Sequence, residues 1–82
     1  MSARARLAGR LSRRPPLLYG ILDTGLCPDH EIPGLAAALA DQGVEVLQLR
    51  AKGHSSRGFL DLARATREAL AGRSVPLLVN DR

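Results

Sequence analysis

Aromatic residues are almost missing from this 82-residue chain: Tyr19 and Phe59 are the only two, and there is no tryptophan. A core must therefore be built from Leu, Val, Ile and Ala. Platforms on which the bases of a single-stranded nucleic acid could stack are lacking. Cysteine occurs once, at Cys27, which excludes an intrachain disulfide framework or a cysteine-rich metal site and makes a reducing, cytoplasmic setting the expectation. With no acid–base partner nearby in sequence, Cys27 reads as a buried or idle thiol rather than a nucleophile. No apolar run approaches the roughly 18 residues of a membrane span.

Acidic residues are absent from positions 1–14, where five arginines carry +5; the seven basic and eight acidic residues of the remainder carry −1. The net charge of +4 therefore belongs to the start of the chain, and the part expected to fold has no basic stripe for nucleic acid. Residues 1–16, closed by Pro15-Pro16, read as a disordered basic leader in preference to a targeting peptide. A chain of this length holds at most one small domain.

What is present is an alternation of apolar runs and amphipathic stretches. Residues 17–22 form a continuous apolar run that reads as a buried strand, ended by the turn chemistry of Asp23-Thr24-Gly25. Asp23 is read as a turn residue, and His30 as an exposed loop histidine without a metal-like partner. A first helix is expected from Ile32, with Ile32, Leu35, Ala36 and Leu39 on its apolar face and Gly43 in the left-handed position after its end. A second runs from about Ser55 to Ala71, with Phe59, Leu62, Ala63, Thr66 and Leu70 buried and Gly72 ending it. Between them, Val44–Lys52 begins as a buried strand and then sets Gln48, Arg50 and Lys52 at alternate positions, on one face of that strand. A last apolar run, Val75–Val79, breaks into Asn80-Asp81-Arg82.

An amide and two cations on one face suit an anion with several oxygens: Arg offers a planar fork, Lys a point charge, and the amide can orient a polar ring. On spacing alone, a solvated edge strand fits equally well. The order strand–helix–strand–helix–strand implies a parallel α/β sheet, in which ligands sit beyond the carboxyl ends of the strands. Gln48, Arg50 and Lys52 end one strand and Asn80 and Asp81 another, so the polar groups converge on one rim, which favours a site. Arg50 and Lys52 then suit a phosphate or pyrophosphate, and Asp81 a Mg²⁺ bridging it; the plain alternative for Asn80-Asp81 is a turn.

Leu-Tyr-Gly-Ile-Leu-Asp at the first strand, Gly-Val-Glu-Val-Leu-Gln-Leu-Arg-Ala-Lys at the second and Val-Pro-Leu-Leu-Val-Asn-Asp-Arg at the end together resemble the N-terminal part of thiamine phosphate synthase. The resemblance covers residues 17–82 and implies the first three strands of a TIM (β/α)₈ barrel. Such an enzyme joins hydroxymethylpyrimidine diphosphate to thiazole phosphate, with Mg²⁺-assisted loss of pyrophosphate. It implies substrate binding by the stretch Gln48, Leu49, Arg50, Ala51 and Lys52 together with Asn80, and metal binding by Asp81. Ala51 stands where the family often has an acid, on the side facing away from the site. Small molecules are the expected partners, with no nucleic acid and no membrane.

Three of eight barrel strands leave an edge strand and the barrel-inward face bare. The expectation is a fragment or truncated product of such an enzyme, or a partial gene model, inactive alone. Two other readings stay open. One is a thiazole tautomerase-like relative, which would not need a diphosphate–Mg²⁺ site. The other is a non-catalytic module whose rim binds phosphate or a partner chain.

Overall fold

The computed structural model describes residues 18–80; the expected leader, 1–16, lies outside the described residues, as do Leu17, Asp81 and Arg82. Three strands, β1 (Tyr19–Asp23), β2 (Val46–Arg50) and β3 (Leu77–Asn80), form a parallel sheet in the order β1-β2-β3. A short 3₁₀ turn (Asp29–Glu31) leads into helix α1 (Ile32–Asp41), which connects β1 to β2, and helix α2 (Ser56–Ala69) connects β2 to β3. This is the expected βαβαβ unit.

Each helix is bounded by the chemistry at its ends. Pro33 occupies the opening turn of α1, where a missing N–H costs nothing because that donor has no partner inside the helix. Gly43 follows with φ at 104°, and the Val44 N–H returns to the Leu39 carbonyl at 3.1 Å. Ser55 caps α2 by accepting the Gly58 N–H on its hydroxyl at 3.0 Å. Gly72, with φ at 83°, turns the chain towards β3. At the same end of the unit, Arg73 donates to both carboxylate oxygens of Asp41, at 2.8 and 3.1 Å, and to the Ala69 carbonyl at 2.8 Å. It thereby ties the ends of the two helices together.

The core lies between the helices and one face of the sheet. Leu22, Leu47 and Leu49 meet Ile32 and Ala36 of α1 and Leu62 and Leu70 from the α2 side. Gly20 makes room here: a Cβ at that position would stand 2.9 Å from Leu47 Cδ2 and would force that side chain to shift, so Leu47 packs over bare backbone. Thr66, fully buried, returns its hydroxyl proton to the Leu62 carbonyl at 2.8 Å. Several residues expected to be buried are not. Leu18, Tyr19 and Ile21 of the first apolar run are exposed, because alternation along β1 turns Tyr19 and Ile21 to the face without helices. Phe59 and Ala63 are only half-buried, and Leu35 is 38% exposed. The face of α1 that packs is centred on Ile32, Ala36 and the half-buried Leu39 and Ala40, which puts Leu35 at the margin of the stripe.

Strand limits differ from the apolar runs because hydrogen bonding decides them. Val44 is occupied by the end of α1, and Glu45 donates to the Leu18 carbonyl at 2.9 Å, so β2 begins only at Val46. Pro76 has no N–H to give the ladder and takes part through its carbonyl, which accepts the Leu47 N–H at 3.1 Å.

Candidate functional site

Register determines which side chains share a layer. Asp23, Arg50 and Asn80 lie opposite one another across the three strands, at the C-terminal end of the sheet. Ile21, Gln48 and Leu78 form the layer below. Because side chains alternate along a strand, Gln48, Arg50 and Asn80 share the face turned away from the helices. On that face Tyr19 and Ile21 remain 43% and 51% exposed. Lys52 follows two residues after β2 and is exposed. Three of the expected site residues are thus brought to one open face, with Lys52 just beyond its rim.

The same alternation narrows the expected stretch. Leu49 and Ala51 are 0% and 1% exposed and belong to the opposite face; their side chains face the core and can offer a ligand nothing but backbone. The Ala51 N–H is already donated to the Asn80 carbonyl at 3.0 Å. Asp81, the expected metal ligand, lies outside the described residues.

Asp23 behaves as the turn residue it was read to be, since its Oδ1 accepts the Gly25 N–H at 2.8 Å. Cys27 is half-buried against the core, its thiol 3.7 Å from the Pro28 carbonyl. Arg50 and Lys52 make no ion pair with any described residue, so both charges are available to an anion at the rim.

Two features of the rim carry no local sequence signal. Gln48 Nε2 donates to the Tyr19 hydroxyl at 3.3 Å, which orients the amide. Tyr19 shares a face with Ile21 and Asp23 by simple alternation, but only the parallel register reveals that it reaches Gln48. The second feature joins two loops. His54, in the loop after β2, sits 2.6 Å through Nε2 from Asp29 Oδ2 in the loop after β1, and 3.2 Å through Nδ1 from the Lys52 carbonyl. Both partners are acceptors, so the ring satisfies both only when each nitrogen carries a proton.

That geometry raises the His54 pKa above the ordinary 6.5, chiefly through the hydrogen bond to Asp29. A histidine whose pKa is higher folded than unfolded stabilises fully below the unfolded value, and the contribution fades as pH rises through the folded one. The loop contact is therefore expected to be complete below pH 6.5 and to be lost progressively above it. An NMR titration of the His54 ring should give a midpoint above 6.5, returning towards that value in Asp29→Ala. A wild-type midpoint at or below 6.5 would contradict the contact.

Among the described residues, no three His, Cys, Asp or Glu side chains gather closely enough to hold a metal ion. Nor is any helix among them long and apolar enough to cross a membrane. An open hollow of about 460 Å³ lies between the end of α2 and the start of β3, lined by Arg67, Leu70, Arg73 and Pro76. It is at the opposite end of the sheet from the polar rim.

The model of the family described as thiamine monophosphate synthase matches residues 18–82. The thiamine-phosphate synthase of Agrobacterium fabrum is 43% identical over 65 residues, covering 79% of this chain and 30% of the relative. That of Leptospira biflexa is 40% identical over 65 residues, covering 79% and 31%. A rice protein, the probable thiamine biosynthetic bifunctional enzyme, chloroplastic, is 36% identical over 67 residues, covering 79% of this chain and 12% of its own. No solved structure matches the chain. The chain spans about 30% of the length of the first of these curated relatives. The match runs through all three strands and both helices, and the chain belongs to the thiamine monophosphate synthase family.

Proposed function

We propose that the barrel-length protein carrying this segment is a thiamine phosphate synthase, joining hydroxymethylpyrimidine diphosphate to thiazole phosphate and releasing pyrophosphate. The observation that carries this reading is the layering of Gln48 beneath Arg50 and Asn80 on one open face of a parallel sheet. An amide in one layer, with a cation and a second amide in the layer beyond it, suits a polar ring that carries a diphosphate. The Agrobacterium and Leptospira relatives, both thiamine-phosphate synthases, support the same reading.

In this reading Arg50 and Lys52 hold the diphosphate, Arg50 by a forked pair of hydrogen bonds and Lys52 as a mobile charge. Asn80 adds an amide to the same group. Gln48, oriented by Tyr19, reads the ring. The carbon–oxygen bond between the pyrimidine methylene and the diphosphate breaks with its electron pair going to pyrophosphate, and the thiazole nitrogen forms the new carbon–nitrogen bond. Charge builds on the departing oxygens, and Arg50 and Lys52 face that charge, so their contribution is greater in the transition state than before it.

The donor chemistry at the end of β3 suits a hard cation. Asn80 ends β3 and a carboxylate, Asp81, follows it in the sequence; a Mg²⁺ site needs only one or two carboxylates when a substrate diphosphate completes it. Asp81 would hold that Mg²⁺, which when bound supplies further positive charge to the leaving group. A cytoplasmic setting, with which the free Cys27 is consistent, and small-molecule substrates complete the reading.

Asp81→Asn in the barrel-length protein tests the assignment. A turn accepts either residue, whereas a hard cation loses a negative ligand. The variant is expected to keep its metal-free melting temperature, turn over at least about tenfold more slowly, and need more Mg²⁺ for half-maximal rate. An unchanged rate and Mg²⁺ requirement would return Asp81 to the role of a turn residue.

A further inference from the structure

The loop after β2 carries Lys52 out of the sheet and reverses at Gly53, whose φ of 78° belongs to the left-handed region that glycine tolerates best. A lysine on such a turn holds its position only if something fixes the backbone beneath it. The His54 ring does this from one side, with Nδ1 3.2 Å from the Lys52 carbonyl. Its other nitrogen is 2.6 Å from Asp29, on the 3₁₀ turn that closes the loop after β1. The ring is only 17% exposed although it bridges two surface loops, while the Asp29 side chain is 50% exposed. A side chain enclosed to that degree and bonded at both ends is a strut between the loops.

We propose that Asp29 and His54 are a positioning pair that sets the Lys52 backbone, and with it the Lys52 ammonium, for binding the substrate diphosphate. The inference rests on the diphosphate reading of the rim. Neither residue touches the ligand; both act through Lys52. The pair links the first two strand-to-helix loops at the end of the sheet where Arg50 and Asn80 lie, so it fixes Lys52 relative to those groups as well as to its own strand. A ligand that does not use Lys52 should be indifferent to the pair.

The test is a double-mutant cycle read by calorimetric titration of the barrel-length protein with hydroxymethylpyrimidine diphosphate and with the corresponding pyrimidine alcohol. His54→Ala is expected to weaken diphosphate binding about two- to 150-fold, the range for residues coupled in one hydrogen-bonded network. Alcohol binding should be unaltered, and in a Lys52→Ala background His54→Ala should have no further effect. Asp29→Ala, which removes an exposed carboxylate and leaves the core intact, should reproduce the loss even if the histidine variant folds poorly. An effective Lys52→Ala beside a silent Asp29→Ala and His54→Ala would overturn the positioning pair alone. A full His54→Ala loss persisting without Lys52, or equal losses for both ligands, would also overturn it, showing a general structural role. A Lys52→Ala that leaves diphosphate binding unchanged would remove the reading of the rim, and the pair's purpose with it.

Discussion

Leu47→Ala is expected to cost about 2–5 kcal/mol of stability, the range for truncating a buried leucine where the surroundings collapse only partly. Leu47 is fully buried in β2 and contributes to the core that both helices share. Its packing over Gly20, where a Cβ would come within 2.9 Å, leaves the β1 backbone no side chain with which to fill the void. Against a total stability of about 5–15 kcal/mol, the change is large enough to displace the urea midpoint of the barrel-length protein clearly. Leu60→Ala, at a position 44% exposed on α2, should cost no more than about 1 kcal/mol. Equal costs at the two positions would mean that the sheet does not pack on its helices through Leu47.

How far the sequence discloses this fold follows from the range of each interaction. The two helices are legible because their signals are local: period, a serine cap at Ser55, and glycines at 43 and 72 with positive φ. The exposure of Leu35 is not, because periodicity gives the direction of an apolar stripe but not its width against a neighbour. For the strands the apolar runs show where pairing occurs, but the limits depend on partners far away, such as the Leu18 carbonyl that holds Glu45 outside β2.

The site divides in the same way. Gln48, Arg50 and Lys52 are visible as an alternation within five residues, and the β-α-β-α-β order brings Asn80 to them. Alternation also separates Leu49 and Ala51 from the ligand-facing side chains. The bond from Gln48 to Tyr19 and the Asp29–His54 contact each span more than twenty residues and have no pattern in the chain. They become visible only when the register is known and two loops are seen to end at the same edge of the sheet. Asp81 adjoins this layer in sequence, and a metal titration separates its two roles.

Arg50 is the group on which the diphosphate reading depends most. It stands in the layer formed with Asp23 and Asn80, exposed and without an ion pair to any described residue. Removing its side chain opens no cavity, so the effect should fall on the ligand and not on the fold. Arg50→Ala is expected to weaken binding of hydroxymethylpyrimidine diphosphate by about 1.5–3 kcal/mol, as for hydrogen bonds to a charged group. That is roughly a 10- to 150-fold loss of affinity. The pyrimidine alcohol, which has no phosphates, should lose much less, whereas Gln48→Ala should show the opposite bias because its amide reads the ring. The decisive measurement is calorimetric titration of the barrel-length protein and its Arg50→Ala variant with these two ligands under identical salt. The account predicts a loss confined largely to the diphosphate; equal losses for both ligands, or none for either, would contradict it.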